Sequence, residues 1–224
     1  MLGDCSSEGG KVTKFSVICC SNDMAVLNQN LLSNYDIFKH DLIIKFFPKN
    51  ICAAYNEAVK VAKGDYLIFA HQDICLPETF FSDLSESIDK INERVCGAIG
   101  PAGRDDQGNY WGWCNDRGNL WGSDKDLPKQ VQTLDEMMLV IPREHFEIFP
   151  DLVKFDENIE NQHLFGADIC MTLESLNKTN YAVSAFCMHN SKTTFEIPKE
   201  FFFTAAYLKK KWGKKAIYAT CAVI

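Results

Sequence analysis

The residues of this 224-residue chain best suited to chemistry stand where apolar runs stop. Tyr66-Leu-Ile-Phe-Ala70 runs directly into His71-Gln72-Asp73, and Ala182 to Met188 runs into His189-Asn190-Ser191. On an extended chain successive side chains alternate, so His71, Asp73 and Cys75 share one side while Gln72 takes the other. An imidazole and a carboxylate on one side of a strand end can hold a metal ion. The plainer alternative is that His71 ends the strand and Asp73 caps the helix that follows. A wider transition-metal set of His71, Asp73, Cys75, Cys187 and His189 also stands open. Asp168, in Gly166-Ala167-Asp168, falls in the first turn of a predicted helix, where the dipole favours an ionised carboxylate. Asp135 and Glu136 place two more carboxylates at the entrance of a strand from Met137 to Pro142.

These groups need elements to position them. Tyr66 to Ala70 is short, apolar and free of polar alternation, which predicts a strand covered on both faces within a parallel sheet. Ligands of open α/β sheets sit at the carboxyl ends of the strands, where His71 to Asp73 would emerge. Phe15 to Cys20 predicts a first strand, Ser21-Asn22-Asp23 the cap of a helix to about Ser33, and Leu42 to Phe47 a second strand. Apolar residues at 51, 54, 55, 58, 59 and 62 form a helical stripe between Asn50 and Ala62. Alternating strands and helices over the first 75 residues are the pattern of a doubly wound sheet. A helix from Pro77 to Ile91 and a strand from Val95 to Gly100 come next. Residues 101–129 read as a long irregular segment carrying Trp111, Trp113 and Trp121, aromatics that either stack on sugars or pin the loop. A helix from Gly166 to about Leu176, a strand from Ala182 to Met188 and a terminal helix opened by Pro198 complete the chain.

Composition narrows the possibilities. Hydrophobic residues at 46% and charged ones at 24% suit one sizeable globular core, expected over residues 13–224 behind a flexible tail at 1–12. The net charge of −7 argues against nucleic acid as the main partner. Ten scattered cysteines without framework spacing read as buried small hydrophobes in a reducing compartment. There is neither an apolar run of transmembrane length nor a signal-like start, so a cytoplasmic protein is expected. Lys209, Lys210, Lys211, Lys214 and Lys215 crowd around Trp212, as either a solvated helix end or a clamp for phosphates or anionic lipid at the inner face of the membrane.

Taken in order, Cys20-Ser21-Asn22, Ala54-Tyr55-Asn56, Lys63-Gly64-Asp65-Tyr66, His71-Gln72-Asp73, Phe155-Asp156-Glu157, Gly166-Ala167-Asp168 and His189-Asn190-Ser191 resemble family 2 glycosyltransferases of the GT-A fold, in a bacterial branch with His-Gln-Asp. The resemblance runs from Phe15 to Trp212. It implies an α/β GT-A fold with a mainly parallel central sheet flanked by helices. It also implies a nucleotide-sugar donor, a saccharide or lipid-linked acceptor, inversion at the transferred sugar, a place in polysaccharide biosynthesis, and a divalent cation, Mn2+ or Mg2+. By this resemblance Asp73, with His71 and His189, holds the metal, and Asp168 is the base that deprotonates the acceptor. Cys20, Ser21, Asn22, Asn56 and Gln72 lie where the donor binds. Asp135 and Glu136 would orient acceptor hydroxyls, and Trp111 or Trp113 would stack on the acceptor. Two departures, His71 for an acid and Gly166-Ala167 where relatives carry one, suggest a second possibility: a catalytically silent nucleotide-sugar binding module.

Overall fold

The computed structural model describes residues 13–160, 162–192, 197–213 and 215–224. The tail expected at 1–12 and Lys214 lie outside the described residues. In chain order the first elements are β1 (Phe15–Ser21), α1 (Met24–Gln29), β2 (Asp41–Phe46), α2 (Ile51–Val59), β3 (Tyr66–His71), β4 (Ile74–Cys75) and α3 (Phe80–Asp89). Then come β5 (Cys96–Gly100), β6 (Ala102–Arg104), β7 (Tyr110–Asp116), β8 (Asn119–Gly122), β9 (Lys129–Val131), β10 (Thr133–Leu134) and β11 (Met138–Pro142). The last are α4 (Arg143–Ile148), α5 (Phe165–Ser175), β12 (Thr179–Ala182), β13 (Cys187–His189) and α6 (Lys199–Trp212).

The first half follows the predicted alternation. Asp23 accepts hydrogen bonds from the backbone N–H groups of Ala25 and Val26 and so starts α1, while Asn50 does the same for α2 through Ala53. The first helix is shorter than expected: α1 stops at Gln29, and the chain reaches β2 through short 3-10 turns at Leu31–Ser33 and Tyr35–Lys39. Gly64 sits where β3 begins, and a Cβ there would lie 2.3 Å from the backbone nitrogen of Ser16. Only glycine admits that approach of the entering chain to β1.

The seven-stranded sheet has the order β2-β1-β3-β11-β5-β12-β9. The expectation of a mainly parallel sheet is corrected to a mixed one: β1 is parallel to β2 and β3, and β5 to β12, but β11 runs antiparallel to both β3 and β5. An apolar run says that both faces are covered and nothing about direction, so Met138–Pro142 could not disclose its reversal. Both faces are indeed covered. Ile18, Leu67, Phe69, Leu139 and Ile141 face one buried cluster, and Val17, Ile68, Ala70, Met138 and Val140 the other.

The segment expected to be irregular at 101–129 is largely a β-ribbon. Strands β6, β7 and β8 form a second sheet with β10, β13 and β4, in which β13 is parallel to β7 and antiparallel to β4. Glycines and aromatics masked its pattern: Gly112, at φ 151°, would place a Cβ 2.3 Å from the carbonyl oxygen of Pro101. The single strand expected from Ala182 to Met188 divides into β12 and β13, which join different sheets. That division carries His189 away from the first sheet's strands and to the turn after β3.

Candidate functional site

The first half of the site forms where the two sheets meet. Strand β3 ends on His71, whose N–H donates to the Met137 carbonyl at 3.0 Å. Strand β4 then pairs with β13 so that His189 lies opposite Ile74, and the Asn190 N–H closes on the Asp73 carbonyl at 2.9 Å. One ligand atom each from His71, Asp73 and His189 lies within 4.8 Å of the others, a grouping found once among the described residues. His189 Nε2 is 3.4 Å from Asp73 Oδ1, and its Nδ1 is 2.9 Å from Asp116 Oδ1, across the β13–β7 register. Asp116, which nothing in the sequence singled out, thus fixes the ring as a carboxylate partner of a ligating histidine does.

The electrostatics suit a cation. Burial alone would raise the Asp73 carboxyl, but its bond to His189 and the neighbouring imidazoles outweigh this and hold it below the ordinary value. Burial would lower His189, yet Asp73 more than offsets it and raises that ring. His71 is lowered, first by burial and then by the His189 charge, and so keeps a free lone pair at neutral pH. One carboxylate oxygen and two imidazole nitrogens fit a divalent ion of intermediate hardness such as Mn2+ better than Mg2+, which prefers oxygen throughout. The wider set with two thiols does not assemble: Cys187 is fully buried in the core, and Cys75 Sγ lies 3.7 Å from Ser33 Oγ.

Beside this cluster, Gln72 does turn to the other side, as alternation requires. Its Oε1 accepts from Ser21 Oγ at 2.8 Å, Asn22 N at 3.1 Å and Asp23 N at 3.0 Å, and its Nε2 donates to Asn22 Oδ1 at 2.7 Å. Ser21, Asn22 and Gln72 therefore form one corner above the carboxyl ends of β1 and β3. Cys20 lies there too, paired with His71, its thiol pushed up to about 12 by burial and so protonated. Asn56 is farther along, fastening α2 to the turn after α4: its amide bonds both backbone groups of Phe155 and the Glu157 carboxylate, each at 2.9 Å.

The second half begins at β11. Glu136, just before that strand, turns its carboxyl to the start of α5, where the N–H groups of Leu164, Gly166 and Ala167 meet it. Leu164 adopts the left-handed φ of 70° to aim its N–H there, and a Cβ on Gly166 would lie 2.8 Å from Glu136 Cγ. Glycine at 166 is thus a packing requirement of Glu136. Enclosure by protein, and then the nearby Asp135 charge, push the Glu136 carboxyl up to about 8 despite those three donors. Asp135 is tied by Met137 N at 2.9 Å and Thr220 Oγ1 at 2.6 Å.

Asp168, one turn into α5, is only 1% exposed. Trp212 Nε1 donates to its Oδ1 at 2.8 Å and Lys211 Nζ to its Oδ2 at 2.8 Å; the same ammonium reaches Asp156 Oδ2 at 2.7 Å. Burial raises the Asp168 carboxyl, and the bonds from Lys211 and Trp212 only partly restore it. The lysine cluster expected around Trp212 therefore divides, with Lys211 turned inward and Lys215 paired with Glu174. The ribbon aromatics are engaged locally: Trp111 Nε1 donates to Asp105 Oδ2 at 2.9 Å beneath the Lys129 ammonium, and Trp113 packs on Phe186.

A sequence model for glycosyl transferase family 2 matches residues 18–147, more than half of the chain. The chain belongs to that family. The match includes His71 to Asp73 and stops before Asp168. A relative, the ATP synthase subunits region ORF 6 protein of Fuscovulum blasticum, is 29% identical over 136 residues, covering 57% of this chain and 52% of its own. The chain thus spans about half the length of that curated relative. Solved structures share the fold of this family 2 domain. TarS of S. aureus has a TM-score of 0.58 at 13% identity, over 90% of this chain and 40% of TarS. The TarS 1-349 fragment in complex with UDP-GlcNAc has a TM-score of 0.58 at 14% identity, over 90% and 67%. The mannosyltransferase PcManGT of Pyrobaculum calidifontis, in complex with GDP-Man and Mn2+, has a TM-score of 0.52 at 13% identity, over 84% and 58%. No described helix is long and apolar enough to cross a membrane.

Proposed function

We propose that this family 2 chain transfers a sugar from a nucleoside diphosphate to an acceptor hydroxyl, assisted by a divalent cation and with inversion at the anomeric carbon. The observation that carries the proposal is the His71-Asp73-His189 cluster at the end of β3, beside the corner formed by Ser21, Asn22 and Gln72. To this we add Asp168 as the base, at the start of the helix α5 whose N–H groups meet Glu136.

Asp73 supplies the anionic ligand, His71 a neutral lone pair, and His189 a ring held by Asp116. A cation held by these three residues would supply positive charge beside the leaving diphosphate, with no proton transfer needed. The corner of Ser21, Asn22 and Gln72 takes the nucleoside side of the donor, with Cys20 beneath it. That a solved structure of this fold carries UDP-GlcNAc, and another GDP-Man with Mn2+, supports this class of donor and cofactor.

Asp168 takes the acceptor proton as the hydroxyl oxygen attacks the anomeric carbon from the side opposite the leaving diphosphate, so a single displacement inverts the centre. General-base assistance of this kind contributes about 10² to 10⁴-fold. Because Lys211 and Trp212 cover the carboxylate, the end of α6 must yield before an acceptor can reach it. Glu136 positions the base through the α5 backbone, and Asp135, Trp111 and Trp113 line the acceptor side. The acceptor is a saccharide or lipid-linked chain, which places the reaction in polysaccharide assembly at the cytoplasmic face of a membrane.

The cover over Asp168 also favours a second reading, a module that binds nucleotide sugars without turnover. Thermal unfolding with UDP- and GDP-sugars, with and without Mn2+, finds the donor, since a ligand at 100 times its Kd adds about 2.7 kcal/mol. A turnover assay with that donor then separates the two. Product supports transfer, and a Mn2+-dependent shift with no product over many hours supports the module.

A further inference from the structure

Helix α6 has two faces of different character. Phe201, Thr204 and Leu208 are buried, while Lys199, Phe202, Phe203, Ala206, Lys209 and Lys210 are exposed on the opposite side. At 3.6 residues per turn those six lie along one stripe. Phe202 is 60% and Phe203 75% exposed, and Ile197, just ahead of the helix, is 44% exposed. The six-residue stripe carries three lysines and no acid in a chain of net charge −7, with the exposed Glu200 on its flank in the first turn. None of these lysines has an ion-pair partner among the described residues, whereas Lys211 and Lys215 nearby do.

We propose that this outer face of α6 docks on an anionic lipid bilayer, with Phe202 and Phe203 entering the headgroup boundary and Lys199, Lys209 and Lys210 at the level of the lipid phosphates. An apolar pair flanked by cations on a helix lying flat is how interfacial helices bind. Each lysine near an anionic surface adds a favourable contribution that salt screens. Charge favours this occupant: a second copy pairing through the same face would set these lysines against one another, whereas an anionic bilayer meets all three with opposite charge. The remaining acidic surface would be repelled by the same bilayer, which fixes the orientation. The inner face of α6 covers Asp168, so docking would bring a lipid-linked acceptor to the acceptor side of the site proposed above. Vesicle binding itself does not depend on that proposal.

Co-sedimentation of the full chain with vesicles of phosphatidylcholine alone, or mixed with phosphatidylglycerol, tests the inference. The expected result is binding to the mixed vesicles only, falling as salt rises. Phe202→Ser/Phe203→Ser should abolish it, and Lys209→Glu/Lys210→Glu should weaken it roughly 30-fold or more. Both pairs of side chains are exposed, so the thermal midpoints should stay near wild type. Absence of binding to mixed vesicles, equal binding to neutral ones, or undiminished binding by either variant would overturn the proposal. So would a concentration-dependent rise in sedimenting mass, without vesicle binding, that Phe202→Ser/Phe203→Ser removes, because the face would then belong to a second copy. Each outcome is read without turnover, so failure here leaves the proposed reaction standing.

Discussion

Lys211 Nζ sits 2.8 Å from Asp168 Oδ2, joining the end of α6 to the first turn of α5 across 43 positions of sequence. The ammonium is partly exposed while the Asp168 side chain is almost fully enclosed, so the pair lies at the edge of the core rather than within it. This contact governs both the protonation of the proposed base and its accessibility.

Its pH consequence has a definite sign. Burial already raises the Asp168 carboxyl above its ordinary value of 3.8, and Lys211 pulls it back down. Lys211→Met should therefore raise it further and move the acidic limb of the kcat/KM profile for sugar transfer to higher pH. Breaking the pair should also cost about 1–3 kcal/mol of stability, below the full cost of a buried pair because solvent reaches the ammonium. An unmoved acidic limb would show that Asp168 is not the group whose ionisation the rate reports.

Asp116 touches no proposed substrate yet holds His189 Nδ1 at 2.9 Å. Asp116→Asn should weaken Mn2+ binding about 10- to 100-fold, the usual effect of losing a ligand's orienting partner. Mn2+ titration by electron paramagnetic resonance reads this directly. Chelator treatment of the wild type should remove Mn2+-dependent donor binding, and re-addition of the ion should restore it.

Glu136 offers a stability test. Its carboxyl is raised from 4.5 to about 8, so the folded state binds more protons than the unfolded chain between those values. Its contribution to stability therefore declines as pH rises from about 4.5 to 8 and is level above that. Glu136→Gln keeps an oxygen for the α5 N–H groups and removes the titration. Its unfolding free energy, measured by denaturant, should fall less than that of wild type across this window. Parallel pH curves for the two proteins would contradict the assignment.

Gly166→Ala should destabilise by about 1–3 kcal/mol, since the added methyl would lie 2.8 Å from Glu136 Cγ. The double variant Gly166→Ala/Glu136→Ala should recover part of that loss in urea unfolding. An additive double variant would mean the two positions do not compete for the same space.

Much of the fold was legible in the chain because local signals and tertiary structure agree there. Asp23 caps the helix that Ser21-Asn22-Asp23 suggested, the apolar stripe between Asn50 and Ala62 is the helix α2, and Tyr66 to Ala70 is a buried central strand. What escaped depends on partners distant in sequence. The direction of Met138–Pro142 is set by pairing with β3 and β5, which apolar content does not encode. The ribbon at 102–122 hid behind glycines whose role is close backbone approach. Within the site, alternation did predict that His71 and Asp73 share a side and Gln72 does not. Asp116 had no local mark, because only the β13–β7 register brings it to His189. Lys211 was one lysine among several, and its inward turn follows from its angle on α6 relative to the exposed stripe.

The most direct test is calorimetric titration of wild type and Asp73→Asn with a nucleotide sugar, with and without Mn2+. Wild type is predicted to bind the donor only with the ion present, and Asp73→Asn to lose that binding while unfolding at a similar temperature. Equal, Mn2+-dependent affinity in the two proteins would contradict the His71-Asp73-His189 site and the reaction built on it.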